Sequence, residues 1–190
     1  TLVVATVGRI APEKNLDLAI FAFEAMRRVR PDARMVFVGD GPQKSALATR
    51  HPEHIFAGMR HGADLAAHYA SADLFLLPSL TETFGNVTLE ALASGLGIVA
   101  YDSAAAGELI DDGIDGLLAP PGDEHGFIDA AVALAADPGL LARLRLRASA
   151  RVARLDWDAI SGAFAGVLED LVLMQQRRHH ADRIIAVAPD

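Results

Sequence analysis

The sequence predicts an α/β domain built on a doubly wound, Rossmann-like parallel sheet of six strands, with a helical C-terminal extension. Short apolar runs alternate with amphipathic stretches over the first 120 positions, which is the pattern of strands buried on both faces with helices between them. Glycine and proline fall at the junctions, and from residue 124 onward the strand-like runs stop. Ligands in such folds sit beyond the carboxyl ends of the strands, where strand order reverses.

The elements follow in order. LVVATV (2–7) is continuous and β-branched, as a fully buried strand requires. Residues 16–28 place Leu16, Ala19, Ile20, Phe23 and Met26 at helical spacing, and Pro31 ends the segment. ARMVFV (33–38) is a second strand closed by the turn GDGP (39–42), and 43–50 a helix. Residues 54–56 read as a short strand, 63–71 as a helix and 74–77 as a fourth strand. A helix is expected over 86–94, strands over 98–100 and 116–118, and a turn at Pro120-Pro121-Gly122. Helices are then expected over 124–136, 140–153 and 157–176, separated by Asp137-Pro138-Gly139 and Leu155-Asp156, with 177–190 as a tail. This divides the chain into a ligand-binding unit, 1–155, and a helical segment of the same domain, 156–190.

Composition narrows the function. The 190 residues are 52% hydrophobic and 22% charged, a globular balance that excludes disorder. A net charge of −8 argues against a nucleic-acid surface, though a few converging cations and helix N-termini still suit one anionic ligand. The absence of cysteine excludes disulfides and thiolate chemistry and fits a reducing, cytoplasmic setting. No apolar run nears the roughly 20 residues that span a bilayer, and no signal peptide is visible. The chain opens at Thr1 directly into a strand, as expected of a piece of something longer.

Two constellations carry chemistry. In VGRIAPEKN (7–15), Gly8 allows close backbone approach to a ligand, and Arg9 and Lys14 flank the following helix N-terminus. Two cations and free N–H groups facing one anion suit a diphosphate. Taken alone, the same residues read equally as surface cations. In SLTETFGNVTLEALASG (79–95), Glu82 falls in a loop and Glu90 about one turn into a helix. Between them Phe84, Gly85 and Asn86 offer amides at the helix N-terminus. A carboxylate such as Glu90 suits a vicinal diol like ribose, yet a solvated helix glutamate and a capping Glu82 look the same.

Together the motifs resemble the C-terminal, donor-binding half of GT-B glycosyltransferases, specifically the retaining family 4, or group 1. VGRIAPEKN, VGDGP (38–42), YASADLFLLPSLTETFGN (69–86), LEALASG (89–95), DGIDGLLAPPGD (112–123) and LDWD (155–158) carry the resemblance in the family's order. It implies that Arg9 and Lys14 bind the donor diphosphate and stabilise the leaving group, and that Glu90 holds the ribose. It further implies that Glu82, with the amides of Phe84, Gly85 and Asn86, holds the sugar and part of the diphosphate. Gly39 and Arg60 lie on loops that face the base in this family. No metal is implied: cations and helix amides replace the divalent ion, and nothing in the sequence looks like an Asp-x-Asp metal site. The expected donor is a UDP-sugar or GDP-sugar, transferred to a hydroxyl with retention. The implied partner is an N-terminal acceptor domain of the same chain, toward which residues 157–176 would cross and without which this fragment would be inactive. Exposure of that helix would favour self-association, whereas packing on its own domain is the other reading.

Two departures from the family stand out. Gly97 replaces a common proline, a change expected to alter only loop rigidity. At 102–108, DSAAAGE replaces a double-glycine turn; alanine disfavours positive φ, so this loop is expected to depart in shape. The basic stretch RRHHADR (177–183) fits a peripheral contact with an anionic inner membrane face, or more simply a solvated terminus. His51, His54, His61 and His68 are spread over helix, strand and loop, without a histidine pair and a third acidic partner at ligand-like spacing. Ser79 and Ser94 lack the context of a hydrolase nucleophile. A sugar-nucleotide 2-epimerase-like isomerase and a non-catalytic nucleotide-sugar-binding module are the rival readings.

Overall fold

In the computed structural model, which describes residues 1–82, 85–153 and 157–186, six parallel strands run in the order β3-β2-β1-β4-β5-β6. They are β1 (Val3–Val7), β2 (Arg34–Val38), β3 (Ile55–Gly58), β4 (Leu74–Leu77), β5 (Gly97–Tyr101) and β6 (Leu117–Ala119). The helices are α1 (Leu16–Val29), α2 (Lys44–Arg50), α3 (Gly62–Ala70), α4 (Asn86–Ala93), α5 (Ala104–Leu109), α6 (Glu124–Ala136), α7 (Pro138–Val152) and α8 (Trp157–Ala186). The chain forms two compact units, Thr1–Val152 and Ala153–Asp190.

The central strands are apolar throughout because both their faces are covered: every residue of β4 and β5 is buried. Their alternation separates two cores. Leu74, Leu76, Val99 and Tyr101 pack with α1, α6 and the start of α7, while Phe75, Leu77, Ile98 and Ala100 pack with Tyr69 of α3 and with α4 and α5. Strand order reverses between β1 and β4, where the ladder has only two residue pairs. Asp73 lengthens that seam. Its N–H donates to the Val3 carbonyl at 2.8 Å, and its carboxylate accepts from the Val3 N–H at 2.9 Å and from Arg145 of α7 at 2.7 Å.

Four expectations need correction. Pro138 does not separate helices but opens α7, since a proline in the first turn loses no hydrogen bond. Asp137 accepts there from the N–H groups of Gly139 and Leu140, both at 2.9 Å. Residues 104–109 form α5 rather than a loop, and Ala104 takes φ 46° despite its Cβ. Gly97 does more than loosen a loop. It opens β5, its N–H donates to the Asp73 carbonyl at 3.0 Å, and a Cβ there would lie 2.3 Å from Leu141 Cδ1. Finally, α8 runs through 177–183, because no glycine or proline interrupts it after Gly166. On α8, Phe164, Val167, Leu168, Leu171 and Met174 are exposed apolar residues at helical spacing.

A left-handed alanine costs about 1–2 kcal/mol. Ala104→Gly is therefore expected to stabilise the protein by about 1 kcal/mol in urea denaturation, an increase that a relaxed Ala104 would not give.

Candidate functional site

The carboxyl ends of β1 and β4 frame a cleft lined by Gly8, Arg9, Lys14, Pro78 and Ser79. At Gly8 its lining is main chain. The turn after β1 lies so close to the turn after β2 that a Cβ on Gly39, at φ 139°, would sit 1.9 Å from the Gly8 carbonyl oxygen. Backbone bonds Gly8 N–H to Val38 and Ile10 N–H to Asp40, both 2.9 Å, join the two turns. A Cβ on Gly8 itself would meet nothing within 4 Å, so its backbone faces open space.

Lys14 ends a short 3-10 turn (Pro12–Lys14) that leads into α1. Its Nζ donates to Glu82 Oε1 at 2.5 Å, with side chains only 20% and 11% exposed, so the pair is largely withdrawn from water. A second link, the Leu80 N–H to the Glu13 carbonyl at 3.2 Å, ties the same two loops. Arg9 is exposed and meets Glu13 at 3.5 Å. Gly85, at φ 88°, caps α4 without a side chain to accept from the first-turn amides; the Thr88 N–H donates to the Gly85 carbonyl at 2.9 Å, and Asn86 opens the helix. Glu90 projects from α4 and accepts from the Tyr69 hydroxyl at 2.7 Å. Burial, and then that hydrogen bond, push the Tyr69 pKa far up, so its proton stays in place.

The two sequence motifs therefore meet through Lys14 and Glu82. Arg60 stands elsewhere: its guanidinium donates to the Ala57 carbonyl at 2.9 and 2.6 Å and pairs with Asp64 at 3.0 Å, in the loop after the edge strand β3. Phe84 lies outside the described residues. Ser79 has no sequence context of a nucleophile, and its hydroxyl is buried at the cleft without a hydrogen-bond partner among the described residues. Tyr69 carries no signal of its own in the sequence beyond its motif, since its partner lies 21 positions away.

One histidine group forms that spacing did not suggest. The ligand-type atoms of His51, Glu53 and His54 lie within 4.8 Å of one another, between α2 and β3. Here a histidine pair does meet an acidic partner, because the turn between these elements folds the three side chains together. His54 is also a core residue, its ring edge-on to Phe23 with centroids 5.2 Å apart. Burial drives its pKa below the ordinary histidine value.

These features define a Rossmann-like domain with a cleft, bearing Arg9 and Lys14, at the switch point of its sheet. The chain belongs to the group 1 glycosyltransferases, whose family model, "Glycosyl transferases group 1", matches residues 1–137. It is 42% identical over 129 residues to a GDP-mannose-dependent α-mannosyltransferase of Mycobacterium tuberculosis, covering 67% of this chain and 33% of that protein. A GDP-mannose-dependent α-mannosyltransferase of Corynebacterium glutamicum is 32% identical over 175 residues, covering 92% of this chain and 41% of the relative. Among solved structures, Anabaena HepE in complex with UDP-glucose superposes with a TM-score of 0.73 at 27% identity, over 90% of this chain and 49% of that one. The chain thus spans less than half the length of each of these relatives. No described helix is long and apolar enough to cross a membrane.

Removing one partner of the Lys14–Glu82 pair leaves the other charge in a poorly solvated place. Glu82→Gln is expected to cost about 2 kcal/mol in urea denaturation, and Lys14→Met with Glu82→Gln to recover about half of the summed losses. Purely additive losses would show that the pair is not coupled.

His54 gives a pH dependence. Its folded pKa lies below 6.5 and the unfolded chain binds the proton more readily, so stability should fall as pH drops through 6.5 toward the folded value. Denaturation at pH 7.5 and 5 should show this loss, and His54→Leu should reduce it.

Proposed function

We propose that this chain is the donor-binding part of a glycosyltransferase that takes a nucleoside-diphosphate sugar, a UDP-sugar or GDP-sugar. The observation that carries the reading is the meeting of Lys14 and Glu82 at the switch point, beside the glycine-capped start of α4 and the open backbone of Gly8. An ammonium has three donors. One can stay on Glu82 while the others face a diphosphate, so a carboxylate that would otherwise repel the ligand is neutralised where it stands. Relatives whose names specify GDP-mannose and a neighbour crystallised with UDP-glucose support the ligand class.

In this reading the sugar C1–O bond to the distal phosphate breaks and a bond from an acceptor hydroxyl to C1 forms on the same face. The hydroxyl proton passes to the leaving diphosphate. Lys14 and Arg9 stabilise the charge that grows on that leaving group, and first-turn amides of α4 add to it without reorganising. This set of donors supports a reaction without a metal ion. Glu82 orients the sugar through its hydroxyls, and Glu90 accepts from the ribose. The acceptor site, on this view, belongs to an N-terminal domain of the whole protein that closes over the donor. Arg60 stays a candidate for the base side only if it releases Ala57 and Asp64 on binding.

Calorimetric titration of the full-length protein with UDP, GDP and ADP tests this. One uridine or guanosine diphosphate should bind without added metal and in the presence of chelator. Lys14→Ala and Glu90→Ala should each weaken it about tenfold or more, the value of one charge-assisted contact. Absence of binding by all three nucleotides would overturn the reading.

A further inference from the structure

We infer that Tyr69 is a positioning residue that sets the ribose selectivity of the site, by holding the Glu90 carboxylate in one orientation. The inference rests on the donor-binding reading, in which Glu90 accepts from the ribose hydroxyls.

Glu90 sits on α4 and is exposed, so nothing in its own helix fixes its three side-chain torsions. Tyr69 comes from a different element, the last turn of α3, and is the opposite kind of residue. It is 2% exposed, and its ring lies against Phe75 of β4 with centroids 6.1 Å apart. From that packed position its hydroxyl reaches out and donates to Glu90 Oε2 at 2.7 Å. Burial keeps the phenol protonated, so the hydroxyl is a permanent donor to this carboxylate. A phenylalanine would fill the same apolar space, so the hydroxyl is explained by Glu90 and not by the core. Nor is a partner automatic for a buried tyrosine hydroxyl: that of Tyr101 has none among the described residues.

The consequence concerns geometry. Two ribose hydroxyls call for two acceptor positions in a fixed plane, and a freely rotating glutamate must be ordered at the moment of binding, which weakens affinity several-fold. With Oε2 held by Tyr69, the plane of the carboxylate is set beforehand, and Oε1 together with the remaining acceptor capacity of Oε2 is left for a diol. The selectivity of the site for ribose over deoxyribose therefore depends on a residue that touches no ligand.

The test uses the full-length protein and the nucleotide it binds, UDP or GDP, together with the 2′-deoxy and 3′-deoxy forms. Wild type should favour the ribonucleotide. Tyr69→Phe should cut that preference about three- to tenfold, the cost of ordering one side chain at the moment of binding, while leaving deoxynucleotide affinity nearly unchanged. Glu90→Ala should abolish the preference, and adding Tyr69→Phe to it should change nothing further. General loosening of the fold would instead weaken all nucleotides alike and leave the ratio intact. A full ribose preference in Tyr69→Phe overturns the inference and leaves the donor reading standing. Wild type that binds nucleotide without preferring ribose overturns the inference and the role of Glu90, and wild type that binds no nucleotide overturns both inference and reading. Should Tyr69→Phe fail to fold, Glu90→Asp serves instead: it keeps the charge but draws it back from the hydroxyl, and undiminished ribose preference there would equally overturn the inference.

Discussion

The seam between β1 and β4 is the constraint on which the rest of the unit depends. Two pairs of residues make a weak ladder, yet this is where the sheet changes direction and where the cleft opens. Asp73 compensates by bonding Val3 from both its backbone and its side chain, while its carbonyl receives β5 through Gly97. Arg145 then anchors the arrangement to α7, donating to Asp73 at 2.7 Å and to the Gly95 carbonyl at 2.8 Å. Hydrogen bonds to charged groups of this kind contribute about 1.5–3 kcal/mol each. One aspartate thus joins β1, β4, β5 and α7, and the two halves of the doubly wound sheet are held in register beneath the cleft.

Above that seam the electrostatics are local. In a chain of net charge −8, Arg9 and Lys14 both line the cleft from the segment between β1 and α1. The acidic side chains nearby are not unpaired: Glu82 lies on Lys14, Glu13 on Arg9, and Glu90 on Tyr69. Pairing of this kind lets several carboxylates lie close together, since each already has a donor facing it.

Much of this was legible in the sequence, and where it was not the reasons are physical. Strands such as LFLL are identified by continuous burial, while the stretches around Arg9, Lys14, Glu82 and Glu90 stand out through their resemblance to the family, each alone reading equally as surface charge. Lys14 meeting Glu82 follows from strand order, which places the turn after β1 beside the turn after β4. The helix over Ala104–Leu109 escaped because its alanines were weighed against a turn that needs positive φ, whereas Ala104 adopts that φ and then starts a helix. Pro138 was read as a stop, although a proline can begin a helix as readily as end one. Asp73, Tyr69 and the grouping of His51 with Glu53 and His54 are products of packing between elements. No local periodicity reports them.

The contact of Gly39 with the Gly8 carbonyl also bears on how this protein can change. Where one side of a cleft is peptide backbone pressed against peptide backbone, exchanging side chains around it does not redraw that side. A library that randomises the rim would explore new ligand heads against an unaltered floor, while any residue larger than glycine at position 39 would force the two turns apart. The fold therefore separates a fixed half of the cleft from an adjustable one, and variation in specificity is channelled into the adjustable half.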